Sequence, residues 1–348
     1  MEPVDLRSDT VTRPTAPMMA AIMAADVGDD VFGDDPETNA LQAEAADLLG
    51  FEAALFTPSG TMANEVAIRA HTEHGDEIIV ERGAHIYQHE GAAPAALAGV
   101  TLCLLDGDEG LLAADQVEGA IRDAPMGGHH PYTTLICVEN PANEAGGVVY
   151  PLGRIEALLS MAERRGIPIH LDGARLFNGA EALGQPAARL ARGFASVSIC
   201  LSKSLGCPVG SLLLGSGAFI ERAHRFRKMF GGGMRQTGFL AAAGRYALRH
   251  HIDRLAEDHH HARLLAGAVR AAGVEVDLPS VQTNMVYFRV PDAAAVVAAL
   301  ADRGVLCLNL DATRIRLVTH LDVTPAGVAR TCEALGEVLS AHLALHRP

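Results

Sequence analysis

Short, almost uninterrupted apolar segments recur through the first two-thirds of the chain, and they constrain its fold more than any other feature. Three of them are Ile167–Leu171, Ser196–Leu201 and Ser211–Leu214. Parallel strands have this pattern when helices cover both faces of the sheet, because no side chain then faces water. Helical patterns such as Gly153–Arg165 lie between the strands. The alternation predicts an α/β fold of three layers.

The character of the sequence changes from about Arg235. A long, charged, helical stretch continues to about Arg270, and the strand patterns Asn284–Val290 and Arg314–Val318 follow it, each with a helix after it. We therefore expect a large domain over residues 1–248 and a smaller α+β domain over residues 249–348. The length of the chain agrees with two domains, because one domain typically holds ~100–200 residues.

Charge and hydropathy exclude nucleic-acid and membrane partners. The net charge of −14 repels phosphate backbones and anionic membrane surfaces. The basic run Arg222–Lys228 predicts only a solvated helix face. The longest apolar stretch, Ala92–Leu105, is shorter than the ~20 residues that a membrane helix needs. We expect a small molecule as the substrate.

Two further features concern the compartment. The N-terminus carries charges where a signal peptide would need an apolar run, so we expect no secretion. The six cysteines are scattered and form no CxxC pair, which is typical of core residues in a reducing compartment. We therefore expect a cytoplasmic protein.

A candidate anion-binding turn lies at Pro58–Thr61, between a strand and a helix that we expect to begin at Thr61. Backbone N–H groups and the positive end of the helix dipole meet at such a turn, so Gly60 and Thr61 could hold a phosphate. An ordinary N-cap, with Ser59 or Thr61 accepting a hydrogen bond from the helix, explains the same residues. Both interpretations stay open at this stage.

An aspartate and a lysine each follow a buried strand. Asp172 would lie at the carboxyl edge of the sheet, where α/β proteins bind ligands, and it could pair with a pyridinium N–H. Arg175 could hold a carboxylate, although an internal Asp172–Arg175 ion pair is the alternative. Lys203 precedes a turn that contains Gly206. A partly desolvated lysine there suits Schiff-base chemistry, and a plain surface lysine is the alternative.

Two segments imitate metal sites. Gly28–Asp35 resembles a calcium loop, but with Gly33 as the sixth residue the twelfth would be Asn39, where such a loop needs glutamate. His259–His261 lie in a predicted charged helix, where consecutive residues do not share a face, and we expect them to be solvated. No metal is expected, and no glycine-rich nucleotide motif occurs.

Segments along nearly the whole chain, taken in order, resemble the threonine aldolase family of fold-type-I enzymes that use pyridoxal 5'-phosphate (PLP). The segments are DLRSDTVTRP (5–14), GDDVFGDDPETNALQ (28–42), PSGTMAN (58–64), GAHIYQHEGAA (83–93), HLDGARLFNG (170–179), SICLSKSLGCPVGSLLLG (198–215), FRKMFGGGMRQTGFLAAAGRYAL (226–248), QTNMVYF (282–288) and RIRLVTHLDV (314–323). The resemblance implies an aminotransferase-like fold, with a large three-layer α/β/α PLP domain and a smaller C-terminal α+β domain. It also implies a homo-oligomer, a dimer at least and expected as a tetramer. The implied reaction is reversible cleavage of β-hydroxy-α-amino acids, such as L-threonine and L-allo-threonine, to glycine and an aldehyde.

The resemblance implies roles residue by residue. Lys203 would carry PLP as a Schiff base, Asp172 would pair with the pyridine nitrogen, and His85 would stack on the ring. Gly60 and Thr61 would hold the phosphate with Lys228 and Arg235, which could belong to a neighbouring subunit. Ser8, Arg175 and Arg316 would hold the substrate carboxylate, Arg175 also contacting the cofactor, and His129 or His130 would lie near the β-hydroxyl.

Three questions stay open in the sequence. The base that takes the β-hydroxyl proton could be His85, His129 or a water. Family members commonly show ENTHN where this chain has ENPAN (139–143), so Pro141 and Ala142 leave the side-chain preference in doubt. A β-eliminating lyase or an aminotransferase would share Lys203 and Asp172, and a catalytically inactive PLP-binding homologue is a further alternative.

Overall fold

A computed structural model describes residues 2–123 and 128–345 of the chain. Its strands are β1 (Val4–Asp5), β2 (Ala53–Thr57), β3 (Glu77–Glu81), β4 (Thr101–Leu105), β5 (Thr133–Glu139), β6 (Ile169–Asp172), β7 (Ser196–Cys200), β8 (Ser211–Gly215), β9 (Met285–Arg289), β10 (Val305–Leu306), β11 (Leu308–Asn309) and β12 (Arg314–Val318). Its α-helices are α1 (Ala16–Met23), α2 (Pro36–Leu49), α3 (Gly60–His71), α4 (His85–Gln88), α5 (Ala114–Ala120), α6 (Leu152–Arg165), α7 (Leu176–Leu183), α8 (Ala187–Ala191), α9 (Gly217–Met229), α10 (Gly238–His250), α11 (Leu255–Ala271), α12 (Ala293–Ala301) and α13 (Pro325–Leu345).

Within the described residues, a sheet of seven strands organises the larger part of the chain. Its order is β2-β8-β7-β6-β5-β3-β4, and β8 runs antiparallel to both of its neighbours while the other pairs are parallel. Every residue of β7 and β8 is buried, so both faces are covered at the centre of the sheet. The parallel strands β3, β5, β6 and β7 therefore end at one edge, which is where α/β sheets bind ligands.

The chain divides into two compact units. The sheet unit consists of Pro14–Ser202 and Cys207–Arg249. The terminal unit consists of the N-terminal residues to Arg13, Lys203–Gly206, and the C-terminal part from His250.

The terminal unit differs from the predicted domain 249–348 by including the start of the chain. The reason is that β1 pairs in parallel with β10, Val4 lying opposite Val305. Val4 and Leu6 are buried in the same apolar cluster as residues of α11, α12 and α13. A three-stranded antiparallel sheet, β11-β12-β9, completes this unit.

Three local predictions require correction. The long helix expected up to Arg270 is two helices, α10 and α11, separated by residues 251–254. The triple histidine is not solvated throughout, because His259 and His261 are buried, with exposed fractions of 2% and 4%. Burial lowers the pKa of His259 to about 4, so this imidazole is neutral.

The basic run in α9 is likewise not a purely solvated face. Arg227 is 1% exposed and forms an ion pair with buried Asp30 at 2.7 Å. Asp30 belongs to the segment that imitates a calcium loop. Its carboxylate therefore stabilises the fold by pairing with Arg227. Among the described residues, no helix combines the length and the apolar character that a membrane crossing requires.

Candidate active site

The predicted phosphate turn lies at the N-terminus of α3. Ser59 is the N-cap, since its Oγ accepts a hydrogen bond from the Met62 N–H at 3.1 Å, and the helix begins at Gly60, one residue earlier than expected. Within the described residues, the N–H groups of Gly60 and Thr61 have no acceptor. A Cβ added to Gly60 would lie 2.7 Å from Sγ of Cys200, so only glycine fits there. The N-cap and the anion cradle therefore coexist, and the two amides suit a phosphate.

Asp172 is the last residue of β6 and is 2% exposed. Its Oδ1 accepts a hydrogen bond from the Ala174 N–H at 3.0 Å, and its Oδ2 accepts one from Nδ2 of Asn64 at 2.8 Å. A carboxylate held in this way at the carboxyl edge of the sheet favours a cationic N–H partner such as a pyridinium.

Asn64 connects Asp172 to His85. Its Nδ2 donates a second hydrogen bond to Oε1 of Glu90 at 2.8 Å, and Nδ1 of His85 lies 2.7 Å from that same oxygen. The side-chain oxygen of Asn64 accepts from Ser198 Oγ at 2.8 Å. The structure thus brings two predicted site residues, Asp172 and His85, into one hydrogen-bond network.

The backbone of His85 is held separately. Its N–H donates to Oε2 of Glu139 at 2.6 Å, and Oε1 of Glu139 accepts from the Asn143 N–H at 2.8 Å. Burial, together with the negative charge of Asp172, raises the pKa of Glu139 to about 7. The imidazole of His85 keeps 30% of its surface exposed, which leaves it accessible to a ligand.

A cavity of about 290 Å³ lies beside this network in the sheet unit. Its lining includes Glu139 and Asn143, and also Ala142, where the resembling family commonly has histidine. The small side chain at position 142 therefore borders open space next to the site. Arg175, at the start of α7, reaches the same loop, with Nη1 donating to Oδ1 of Asn143 at 3.4 Å.

Lys203 lies in the terminal unit, directly after the last residue of the preceding sheet-unit segment. It is half-buried, and its ammonium group has no partner among the residues that the structure describes. The next residue, Ser204, donates from Oγ to Oδ2 of buried Asp9 at 2.8 Å, and Asn284 donates to the same oxygen at 3.3 Å. Asp9 therefore anchors the lysine turn.

Two predicted substrate residues also belong to the terminal unit. Arg316 donates from Nη2 to the carbonyl of Arg7 at 3.1 Å, whereas its buried Nε has no acceptor among the described residues. The hydroxyl of Ser8 accepts hydrogen bonds from both the N–H and Oγ1 of Thr10, so it caps a short helical turn.

The remaining predicted residues lie apart from this network. Arg235 donates to Oδ2 of Asp29 at 3.0 Å, and Lys228 is exposed near the end of α9. His129 and His130 are exposed, and neither contacts another predicted site residue within the described ranges.

Sequence reasoning missed four residues that hold predicted site residues or their neighbours: Asp9 in the terminal unit, and Asn64, Glu90 and Glu139 in the sheet unit. The first three lie inside segments that carried the family resemblance, and Glu139 begins the departing ENPAN stretch. Their segments were thus recognisable, but no spacing rule pointed to the individual side chains.

Residues 5–291 match the family model described as beta-eliminating lyase. The chain is 46% identical over 324 residues to the low specificity L-threonine aldolase of Escherichia coli O157:H7, covering 92% of this chain and 95% of that protein. It is 40% identical to low-specificity L-threonine aldolase 1 of Arabidopsis thaliana, covering 97% of each. The chain belongs to the beta-eliminating lyase family. The predicted threonine aldolase resemblance is thereby confirmed.

The fold of this lyase also matches solved structures. A threonine aldolase structure from Leishmania major superposes with a TM-score of 0.85 at 21% identity. The match covers 97% of this chain and 100% of that chain. This confirms the predicted fold-type-I class, and family and fold together make the chain a PLP-dependent lyase. The roles of individual residues remain predictions.

The residues of the lyase fit PLP chemically. A metal site is the competing interpretation, because one ligand atom each of His85, Glu90 and Asp172 lies within 4.8 Å of the other two. However, Nδ1 of His85 and Oε1 of Glu90 already lie within hydrogen-bonding distance of each other. The open amides of Gly60 and Thr61 match a phosphate, and the carboxylate of Asp172 matches a ring N–H. When bound, PLP supplies an electron sink at the substrate Cα.

The covalent role of Lys203 has a sharp test, because Lys203 and Lys228 are the two lysines of the whole sequence. Replacing Lys203 with alanine should abolish covalent attachment of PLP, since an alanine has no amine. The matched variant Lys228→Ala should keep it. Borohydride reduction followed by peptide mapping measures both. A pyridoxyl group on Lys228 in the unaltered protein would contradict the assignment.

Proposed function

We propose that this lyase is a PLP-dependent aldolase that cleaves L-threonine, L-allo-threonine and other β-hydroxy-α-amino acids to glycine and an aldehyde, breaking the Cα–Cβ bond. The observation that carries the proposal is the 46% identity to a low specificity L-threonine aldolase over 92% of the chain. The buried Asp172, the open amides at α3 and the unpaired Lys203 support it, because that chemistry needs each of them.

In this proposal Asp172 keeps a proton on the ring nitrogen, because an adjacent anion favours the cation. Gly60 and Thr61 hold the phosphate through their N–H groups, and Lys228 and Arg235 add positive charge. His85 stacks on the ring. Each group acts by orientation or by charge, which is the part of such catalysis that falls to the protein.

The substrate carboxylate is assigned to Arg175, Arg316 and Ser8. These residues would orient the substrate at Cα, and the bound cofactor would supply the electron sink for cleavage of the Cα–Cβ bond. The β-hydroxyl must then lose its proton to a base, for which His85, His129 and a water are the candidates. The placement of His129 near the β-hydroxyl stays a prediction. Its contacts do not show whether it would bind that hydroxyl or take its proton.

We also propose that the chain is a cytoplasmic homo-oligomer, expected as a tetramer. Six free cysteines are typical of a reducing compartment. Large apolar side chains remain exposed in the sheet unit, among them Phe32 at 79%, Met23 at 78% and Met229 at 64%. Light scattering should give a mass of at least twice the 36.5 kDa of one chain, and an active species of that single mass would contradict the proposal.

The reaction type is tested by product analysis with L-threonine and the holoenzyme. The expected products are acetaldehyde and glycine in equal amounts. Formation of 2-oxobutanoate would indicate β-elimination, and transfer of the amino group to an added 2-oxo acid would indicate an aminotransferase. PLP absorbance without any product would indicate an inactive homologue. Comparison of L-threonine, L-allo-threonine and L-phenylserine then defines the side-chain preference.

Replacing Arg316 with lysine should raise KM for L-threonine ~10-fold or more, because lysine keeps the charge but loses the planar fork that binds a carboxylate through two N–H groups. Cofactor absorbance and melting temperature should stay unchanged. The matched control is Arg314→Lys on the same strand, since Nε of Arg314 already donates to Oδ2 of Asp311 at 2.6 Å. If Arg316→Lys instead unfolds the protein or releases PLP at constant KM, the residue is structural.

A further inference from the structure

Two glutamates in the interior of the sheet unit are close enough to affect each other's ionisation. Glu65, in α3, is 1% exposed, and Glu90, just after α4, is 5% exposed. Among the described residues, neither carboxyl oxygen of Glu65 has a hydrogen-bond partner, and neither does Oε2 of Glu90. No arginine or lysine of the described chain pairs with either glutamate.

Two adjacent buried carboxylates cannot both be ionised at a tolerable free energy, because burial penalises each charge and the charges repel. One proton removes the repulsion and leaves a single buried charge, and the protonated carboxyl can donate to the other carboxylate. Burial, together with the charge of Glu90 and a hydrogen bond to it, raises the pKa of Glu65 to about 10. A shared proton would give a partner to two of the three unsatisfied oxygens, one on each glutamate.

The hydrogen-bond donors around the pair decide where the remaining charge lies. Oε1 of Glu90 lies within reach of two donors, Nδ2 of Asn64 at 2.8 Å and Nδ1 of His85 at 2.7 Å. Glu65 has no donor other than the shared proton. A carboxylate is stabilised by the donors it accepts from, so Glu90 carries the charge and Glu65 the proton.

We propose that Glu65 and Glu90 share one proton and act as a positioning pair for His85, holding its imidazole with the hydrogen on Nδ1 and the lone pair on Nε2. An ionised Glu90 can only accept hydrogen bonds, so Nδ1 of His85 must be the donor. In a neutral imidazole the other nitrogen is then the proton acceptor.

The neighbouring network agrees with this assignment of hydrogens. Asn64 faces carboxylates with its Nδ2, so its Oδ1 must accept, and it does so from Nε2 of His170 at 3.1 Å. Burial lowers the pKa of His170 to about 4, so that ring is neutral and its one hydrogen is on Nε2. Its Nδ1 can then accept from Ser196 Oγ, 2.9 Å away. With this tautomer of His170, both donors of Asn64 are free to face Asp172 and Glu90.

The consequence for catalysis rests on the proposed aldolase function. With the lone pair on Nε2, His85 is prepared to take the β-hydroxyl proton, and Glu90 behind it stabilises the imidazolium that results. This favours His85 over His129 as the base. Titratable groups near Glu65 and Glu90 include Asp172 and Cys137 as well as His85 and His170. Burial and the nearby carboxylates keep the pKa of the Cys137 thiol well above its usual value.

The shared proton is tested by the pH dependence of unfolding in the holoenzyme. Glu65 holds its proton in the folded state to about pH 10, whereas an unfolded glutamate loses it near 4.5. The stability it contributes is complete below the unfolded pKa and falls as pH rises between these values. In the Glu65→Gln variant this loss of stability should disappear. The folding equilibrium constant of the variant, divided by that of the unaltered protein, should therefore rise about tenfold per pH unit between pH 6 and 8.

The matched control is Glu77→Gln, which neutralises another buried glutamate of the same sheet unit. Glu77 is 3% exposed, accepts from Thr133 Oγ1 and pairs with Arg122, so it has its own partners outside the site. Its variant should not show the tenfold change. Equal pH dependence in the two variants would overturn the shared proton.

The positioning of His85 is tested by neutron diffraction of holoenzyme crystals and by kinetics. The neutron map should place one deuteron between Glu65 and Glu90 and one on Nδ1 of His85; a neutral ring deuterated only on Nε2 would overturn the proposal. In Glu90→Gln, kcat for L-threonine should fall ~10-fold or more at nearly constant KM, and the acidic limb of the pH profile should move to lower pH. An unmoved limb would exclude the positioning role.

These measurements separate the two proposals. The unfolding and neutron experiments do not depend on the reaction, so they test the proton pair even if product analysis were to indicate elimination. Conversely, acetaldehyde and glycine could form while the map shows no shared deuteron. If Glu90→Gln fails to fold, the unaltered crystal and Glu65→Gln still decide the question.

Discussion

The side-chain amide of Asn64 satisfies the buried carboxylate of Asp172, and much of the site depends on that contact. Asp172 ends a strand that is covered on both sides, where water cannot solvate it, so its charge requires donors from the protein. Asn64 lies one turn after Gly60 on α3. Helix α3 therefore supplies both the free N–H groups at its N-terminus and, on the same face, the Asn64 amide that donates to Asp172.

The same amide joins two groups with different tasks. One hydrogen of Nδ2 goes to Asp172 and the other to Glu90, which in turn lies against His85. The residue expected to pair with the ring nitrogen and the residue expected to stack on the ring are therefore held by one planar group. Because an amide has two donors in a fixed geometry, a shift of Asn64 would disturb both partners together.

Acidic side chains dominate the interior around this site. Glu65, Glu90, Glu139 and Asp172 are all buried, and the pKa values of Glu65 and Glu139 are raised by burial and by neighbouring carboxylates. Backbone N–H groups and the amide of Asn64 donate hydrogen bonds to Glu139, Asp172 and Glu90, which helps the fold to tolerate this concentration of acids.

The terminal unit shows how far apart in sequence cooperating segments can be. Asp9, near the start of the chain, anchors Ser204 beside Lys203, and Asn284 donates to Asp9 as well. These residues are separated by 195 and 275 positions, respectively. The prediction of a domain that begins at residue 249 could not include Asp9, because the local pattern of apolar and charged residues does not show which distant segments pack together.

The sequence by itself determined the α/β class, the family, the turn before α3, and the strand ends that carry Asp172 and Lys203. These features depend on periodicity, turn chemistry and short segments, which are local properties of the chain. Only the tertiary structure decided that Asn64 meets Asp172 across 108 residues, that Glu65 and Glu90 affect each other's ionisation, and that Arg227, His259 and His261 are buried. Such partners depend on the strand order β2-β8-β7-β6-β5-β3-β4 and on which helix covers which strand, and a single sequence gives no local signal for either.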